Sequence, residues 1–329
     1  MNILFKKYVY QLGIIIILLS GGVGFLLGFQ IESDKSSGEL NPVREKQEHY
    51  TFINPLLFYN NPSDAEEYSR LIREINRIIS DSESEKISVY YRDLNKGKWF
   101  GVNEDEEYNP ASMLKVVVMI GYLKEAENNP AILAKRIKYS VEADSLIGTI
   151  PYDRGTSLVL NKSYVAQDLI EKMIIESDNG ATYALLANMN TDLLNNIYID
   201  LGLGNPAEKG RDYAISSKNY ISFFRLLYNA TYINRTMSEK ALSILARSDF
   251  AGGLVAGVPD SITVAHKFGE SVLTDQGNNI NAIELHDCGI IYAPQKPYML
   301  CIMTRGRDLD DLSQIIKSIS KVVYDSDVR

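Results

Sequence analysis

The hydrophobic pattern changes character several times along the chain. Residues 8–30, YVYQLGIIIILLSGGVGFLLGFQ, carry no charged side chain. At about 1.5 Å per residue, a helix of that length crosses a hydrocarbon core. Lys6 and Lys7 precede it and Glu32 and Asp34 follow, so the positive-inside rule places the N-terminus in the cytoplasm and the rest of the chain outside. A cleaved signal peptide is the rival reading. The run is long for such a segment, no small-x-small cleavage site lies close behind it, and no cysteine follows to carry a lipid anchor. The expectation is an uncleaved signal anchor within residues 1–30.

Residues 31–49, IESDKSSGELNPVREKQEH, are polar and aperiodic, the pattern of a flexible tether. A folded domain is expected over 50–329. Ser63-Asp-Ala-Glu66 has capping-box spacing, and Leu71, Ile72, Ile75, Ile78 and Ile79 recur at helical intervals behind it. The run 87–102, ISVYYRDLNKGKWFGV, reads as a hairpin turning near Asn95–Lys98. From about 111 to 248 the pattern is helical: 112–127, 164–176, 180–201, 217–229 and 237–248. Strand-like runs follow at 261–271, 281–292 and 298–305, then an amphipathic helix with acids in its first turn. Strands at both ends with helices between them predict a mixed α/β (α+β) sandwich: one five-stranded antiparallel sheet, terminal helices on one face, and an inserted all-helical block.

Composition narrows the function. Thirty-four basic residues against 42 acidic ones give a net charge of −8, and removing the anchor with its two lysines makes the remainder more acidic. A nucleic-acid partner needs a basic footprint, so none is expected. The three histidines, at 49, 266 and 286, and the two cysteines, 288 and 301, lack metal-ligand spacing, so no metal or cofactor is expected. So few histidines also weaken any Ser-His-Asp arrangement. Cys288 and Cys301 fall on the two arms of one predicted hairpin; a disulfide and two buried thiols both remain open.

Candidate chemistry centres on NPASMLKVVVMIGYLKE, where Ser112 and Lys115 stand three residues apart at the mouth of an apolar helix. Spacing alone is weak, because Ser318 and Lys321 repeat it on the amphipathic C-terminal helix. A helix-capping serine and a lysine that snorkels to the surface would account for Ser112 and Lys115 equally well. Context separates the two pairs. A lysine in the first turn of a buried helix meets the positive end of the dipole and loses water, and both disfavour its charged form, as a base requires. The backbone N–H at such a turn also suits an oxyanion. Ser177-Asp-Asn179 lies in a polar turn between two helical runs. It offers a hydroxyl and an amide, although turn chemistry alone accounts for it. Lys267 and Gly269 sit on the strand-like run ITVAHKFGES, where the lysine reads either as an edge charge or as an anion site beside a close backbone approach.

In this order, Ser-x-x-Lys, Ser-Asp-Asn and Lys-x-Gly over about 50–325 resemble the penicillin-recognising serine acyl hydrolases, most closely the class A β-lactamase-like group. The resemblance implies a β-lactamase/transpeptidase-like fold with Ser112 as acylated nucleophile and Lys115 as base or proton shuttle. Ser177 would relay the proton to the leaving nitrogen, and Asn179 would hold Lys115 and the substrate amide. Lys267 would attract a substrate carboxylate beside Gly269. The backbone N–H groups of Ser112 and Glu270 would form the oxyanion hole. The implied partner is a small amide, a β-lactam or a peptidoglycan stem peptide, acted on by a monomeric domain at the membrane.

Two departures matter. Phe268 replaces the hydroxyl residue of the third motif. The Glu-x-x-Leu-Asn loop that follows Ser-Asp-Asn in class A enzymes is absent; LGLGNPAEKGRDYAISS holds only Glu208, which reads as a solvated loop residue. A missing general base costs roughly 10²–10⁴ in rate, so slow deacylation is expected. A D-alanyl-D-alanine peptidase is the alternative enzyme, and an anchored β-lactam or cell-wall-fragment sensor is the alternative without turnover.

Overall fold

The computed structural model describes residues 43–44, 51–53, 56–58, 67–140, 156–201, 203–204, 208, 213–274 and 279–327. The apolar run 8–30, His49 and the capping-box residues 63–66 lie outside them. Among the described residues no helix is long and apolar enough to cross a membrane. Two short strands, β1 (Val43–Arg44) and β2 (Leu56–Phe58), pair antiparallel, the first within the stretch expected to be a tether.

The predicted sheet forms. β3 (Lys86–Asp93), β4 (Trp99–Val102), β9 (Val264–Thr274), β10 (Ile280–Ile291) and β11 (Tyr298–Gly306) make one antiparallel sheet in the order β4-β3-β11-β10-β9. Gly97, at φ 71°, supplies the left-handed residue of the β3–β4 turn. Two further two-stranded pairings stitch loops together: β5 (Glu107–Tyr108) pairs with β8 (Ile215–Ser216), and β6 (Arg136–Lys138) with β7 (Ser163–Val165).

The sheet is a wall between two cores. On one face lie α1 (Ser69–Ser80) and the C-terminal α8 (Leu309–Asp327), whose Ile75, Leu312, Ile316, Ile319 and Val323 pack on Val89, Leu300 and Ile302. On the other lies the helical block: α2 (Lys115–Ala126), α3 (Ala166–Ile175), α4 (Asn179–Leu186), α5 (Thr191–Asp200), α6 (Ser217–Asn229) and α7 (Arg235–Leu245). Helix α2 runs through the middle of this block, buried from Lys115 to Leu123, which is why its sequence is apolar all round.

Local details correct the sequence reading. The span 180–201 is two helices, because the Asn190 side chain accepts from the Asp192 N–H and starts α5. Helix α1 begins at Ser69, with no side-chain cap at Tyr68. Cys288 and Cys301 stand directly opposite each other on β10 and β11 and are bonded, which settles the alternatives in favour of the disulfide.

Candidate active site

The serine turn begins where β5 ends. Asn109 Oδ1 accepts from the Ala111 N–H at 2.9 Å, closing a small side-chain turn, and Ala111 takes a left-handed φ of 47°. A short 3-10 turn, Ala111–Leu114, then presents Ser112 before α2 starts at Lys115. Neither the turn nor the helix uses a side-chain cap, so the reading of Ser112 as a helix cap fails. Ser112 is half-buried and Lys115 buried.

Lys115 Nζ donates to three oxygens: Ser177 O at 2.6 Å, Asn179 Oδ1 at 2.6 Å and Ser177 Oγ at 3.1 Å. The first two motifs, 62 to 64 residues apart, therefore meet at one amino group. The same spacing in Ser318 and Lys321 leads only to solvent, where Lys321 pairs with Asp325 on the exposed face of α8.

The Ser177 turn is built against backbone preference. Ser177 sits at φ 56°, a left-handed conformation that costs a non-glycine residue about 1 kcal/mol or more. Asp178 braces the turn. Its carboxylate accepts from the Ala181 N–H, starting α4, and from Thr156 Oγ1 and the Ser157 N–H, each at 2.8 Å. Asp178 is thus the clamp that orients Ser177 and Asn179 on either side of it.

The third contribution comes from β9 at the sheet edge. Lys267 is fully buried, and its Nζ donates to Ser177 Oγ at 3.0 Å. Two amino groups therefore converge on one hydroxyl and fill both of its lone pairs, which leaves the Ser177 proton free for a third partner. Gly269 lies against the serine turn: a Cβ there would stand 2.7 Å from Pro110 O and 2.8 Å from Met113 Cγ, so only glycine permits the approach. The orientation of Glu270 follows from the ladder. Tyr292 N–H donates to Thr263 O, so Thr263 points its backbone groups at β10. Seven residues on, with no register shift in that stretch, Glu270 points its N–H the other way, off the open edge.

A buried polar network behind the serine turn was missed in the sequence. Glu284, fully buried on β10, accepts from Arg305 Nε at 2.9 Å and Nη2 at 2.7 Å, from Ser271 Oγ at 2.9 Å, and from the Asn109 N–H at 3.2 Å. His286, two residues on and facing the same way, accepts from the Thr304 N–H at Nδ1. Its proton is therefore on Nε2, which donates to Asn109 O at 3.1 Å. Burial pushes the His286 imidazole down to about 4, so the ring is neutral. Tyr220 OH donates to Met113 O from the helical side. Polar residues at alternating positions in an otherwise apolar strand were the available signal.

His266 bonds Asp287 at 2.7 Å inside the fold, and Glu208 is exposed. Among the described residues no group of three or more metal-binding side chains occurs.

Comparison with known proteins follows the same line. The sequence model of the beta-lactamase enzyme family matches residues 70–326. A beta-lactamase of Streptomyces albus G is 23% identical over 242 residues, 68% of this chain and 74% of that protein. A beta-lactamase of Streptomyces fradiae is 25% identical over 113 residues, so the match spans 34% of this chain and only 37% of that relative. Among solved structures, PBP-A superposes with a TM-score of 0.66 at 21% identity, covering 78% of this chain and 96% of its own. A variant of PBP-A has been captured as an acyl-enzyme with penicillin G.

Proposed function

This chain belongs to the beta-lactamase enzyme family, and from that premise we propose that it is a serine acyl hydrolase whose nucleophile is Ser112. The observation that carries the proposal is the bonding of Lys115, which joins Ser177 and Asn179 to the helix that begins beside Ser112. Lys115, once it has given up one of the three protons it donates in the resting site, takes the Ser112 hydroxyl proton as Oγ attacks the substrate carbonyl carbon. The resulting oxyanion sits between the N–H groups of Ser112 and Glu270, and one such donor is worth roughly 10²–10³ in rate. When the carbon–nitrogen bond breaks, Ser177 gives its proton to the leaving nitrogen and recovers one from Lys115. The product is an ester of Ser112. Asn179 holds Lys115, and Gly269 sets the distance between the two oxyanion donors.

Hydrolysis of that ester is proposed to be slow. Glu208, the one glutamate in the stretch where a deacylating base is expected, is an exposed residue. A peptidase acting on peptidoglycan stem peptides is the second reading, favoured by the likeness to PBP-A. A binding module without turnover is disfavoured by the intact bonding around Lys115. We place the domain outside the cytoplasmic membrane, tethered by residues 8–30; the uncharged run behind two lysines and the Cys288–Cys301 bond, which belongs to oxidising compartments, both support this. One chain supplies every group named, in keeping with a monomer.

The test is intact mass over time after mixing the purified protein with penicillin G and with an activated ester. A mass increment on the wild type that maps to Ser112, outlasts free substrate and is lost in Ser112→Ala is expected. No increment with either reagent sinks the assignment.

A further inference from the structure

Four large apolar side chains among the described residues stand well out in solvent, and two of them are chain neighbours: Val159 is 60% exposed and Leu160 41%. They ride on a turn at the end of the β6–β7 ribbon, and its backbone is fixed. The Val159 N–H donates to the Tyr164 hydroxyl at 2.7 Å, the Lys162 N–H to Val159 O at 3.1 Å, and the Asn161 N–H to Tyr139 O at 2.9 Å. Asn161 takes a left-handed φ of 64°, which asparagine tolerates better than most residues. A turn bonded in this way cannot swing its apolar pair back onto the core.

Cations share the ribbon with that pair. Lys135, Arg136, Lys138 and Lys162 are all exposed; Arg136 donates to Ser163 O at 2.9 Å, and Lys162 lies 5.4 Å from the Tyr164 ring centroid. On α3, which follows the ribbon, Glu171 is bonded to Arg247 and Lys172 to Glu176, which closes α3. The sequence from 131 to 165 carries five basic residues against three acidic ones, a net +2 inside a chain of −8. The ribbon is therefore a basic island on an acidic protein.

The N-terminal part of the chain joins the domain close by. Glu239 on α7 accepts from the N–H groups of Thr51, Phe52 and Ile53 at 2.7, 2.7 and 3.1 Å, and Ile53 is buried. The next residue, Lys240, donates to Gln167 in the first turn of α3, directly behind β7. Only residues 31–50 separate this clamp from the apolar run 8–30, a reach of about 70 Å even at full extension.

We propose that the β6–β7 ribbon docks on the bilayer that holds the anchor. Val159 and Leu160 enter the interfacial layer, and Lys135, Arg136, Lys138 and Lys162 meet anionic lipid headgroups. The proposal rests on the reading of residues 8–30 as an anchor with the domain outside. An apolar pair accompanied by cations has the composition of an interfacial contact, whereas the exposed Ile199 stands beside Asp200, which an anionic surface repels. Each cation near such a surface is worth about fivefold in binding. The contact is weak for a free protein, but an anchor holds the ribbon over the lipid at roughly millimolar effective concentration. Docking also fixes the cleft. The Ser157 N–H, two residues before Val159, donates to Asp178, the clamp of the Ser177 turn, so a docked ribbon sets the height of Ser112 above the membrane.

The test uses the full chain with Val159→Cys, reconstituted in vesicles of phosphatidylcholine alone or mixed with phosphatidylglycerol. The native cysteines are bonded to each other, so a fluorophore attaches at the new thiol. A lipid-borne spin label quenches it where it meets the bilayer. Strong quenching is expected with phosphatidylglycerol and weak quenching with phosphatidylcholine alone. The same fluorophore at Ile199→Cys is expected to stay bright, which separates docking from the greasiness of the probe. In the Val159→Cys background, Lys135→Gln, Lys138→Gln and Lys162→Gln together lower the docked-to-undocked ratio on the order of 100-fold. Leu160→Ser lowers it about fivefold and serves if the triple variant does not fold. A label at 159 that stays bright in anchored protein, or is quenched alike on both lipids and in the lysine variant, overturns docking alone. Self-quenching that disappears when the chains are diluted in the bilayer assigns the ribbon to a second copy and overturns it too. A chain that fails to float with vesicles of either composition overturns the anchor reading and the inference with it.

Discussion

Glu284→Gln tests whether the buried network behind the serine turn positions the chemistry or only stabilises the fold. The carboxylate serves four donors, and two of them bracket the proposed oxyanion hole: the Asn109 N–H, three residues before Ser112, and Ser271 Oγ, one residue after Glu270. A glutamine keeps the shape but has one acceptor oxygen. If that oxygen stays with Arg305, the amide NH₂ is left facing the Asn109 and Ser271 donors. Two hydrogen bonds to a charged group are lost, each worth about 1.5–3 kcal/mol. The Arg305 side chain is 29% exposed and recovers part of its hydration, so a net loss of about 2–4 kcal/mol in stability is expected. For the rate, a full donor is worth roughly 10²–10³, so a displaced one costs about 10–100-fold. The assay is the acylation rate constant by rapid-quench mass spectrometry, at a temperature where parallel thermal denaturation shows both proteins folded. Positioning predicts a lower kcat at nearly constant KM. A variant that melts earlier but acylates at the wild-type rate refutes the reasoning.

Three further outcomes follow from the geometry. Gly269→Ala forces the strand edge off the Pro110–Met113 turn, so acylation should fall roughly 10–100-fold while far-ultraviolet circular dichroism stays unchanged; a wild-type rate contradicts the close approach. Ser177→Gly relieves a left-handed serine and should leave stability level or raised by about 1 kcal/mol in urea titrations, while acylation of an amide falls roughly 10²–10⁴-fold; a variant both weaker and active reverses the account. His286 is held near 4 against an unfolded value of about 6.5, so the unfolded chain binds the extra proton between those values. Stability contributed by the neutral ring is intact above pH 6.5 and falls by about 3 kcal/mol as pH drops to 4. The gap in unfolding free energy between wild type and His286→Gln should shrink over that window, and a constant gap rejects the assignment.

The sheet and its covering helices were legible because their apolar periods are long and unbroken, as in ISVYYRD and DLSQIIKSISKVV. Ser112, Lys115, Ser177, Asn179, Lys267 and Gly269 were legible as an ordered set, and the fold brings the polar groups of Lys115, Ser177, Asn179 and Lys267 together while placing Gly269 against the Ser112 turn. What stayed hidden depends on contacts between residues far apart in the chain. Nothing in Asn109 announces that Glu284 and His286 hold its N–H and C=O, and nothing in Phe250 announces that it will stack on Phe268. The break at Asn190 was hidden for a different reason, since apolar residues continue on both sides of it and only the cap gives it away.

The order of strands in the sheet also governs when this protein comes alive. β3 is made early, yet its inner neighbour is β11, and Ile87 finds Thr304 only after almost the whole chain has been synthesised. Until then the early hairpin has one side unmatched, and the loop that must close is among the longest the chain can form, which slows folding. Ser112 is likewise made long before Lys267. The nascent polypeptide is therefore chemically silent for most of its synthesis, and its reactive serine is switched on by arrival of the last strands.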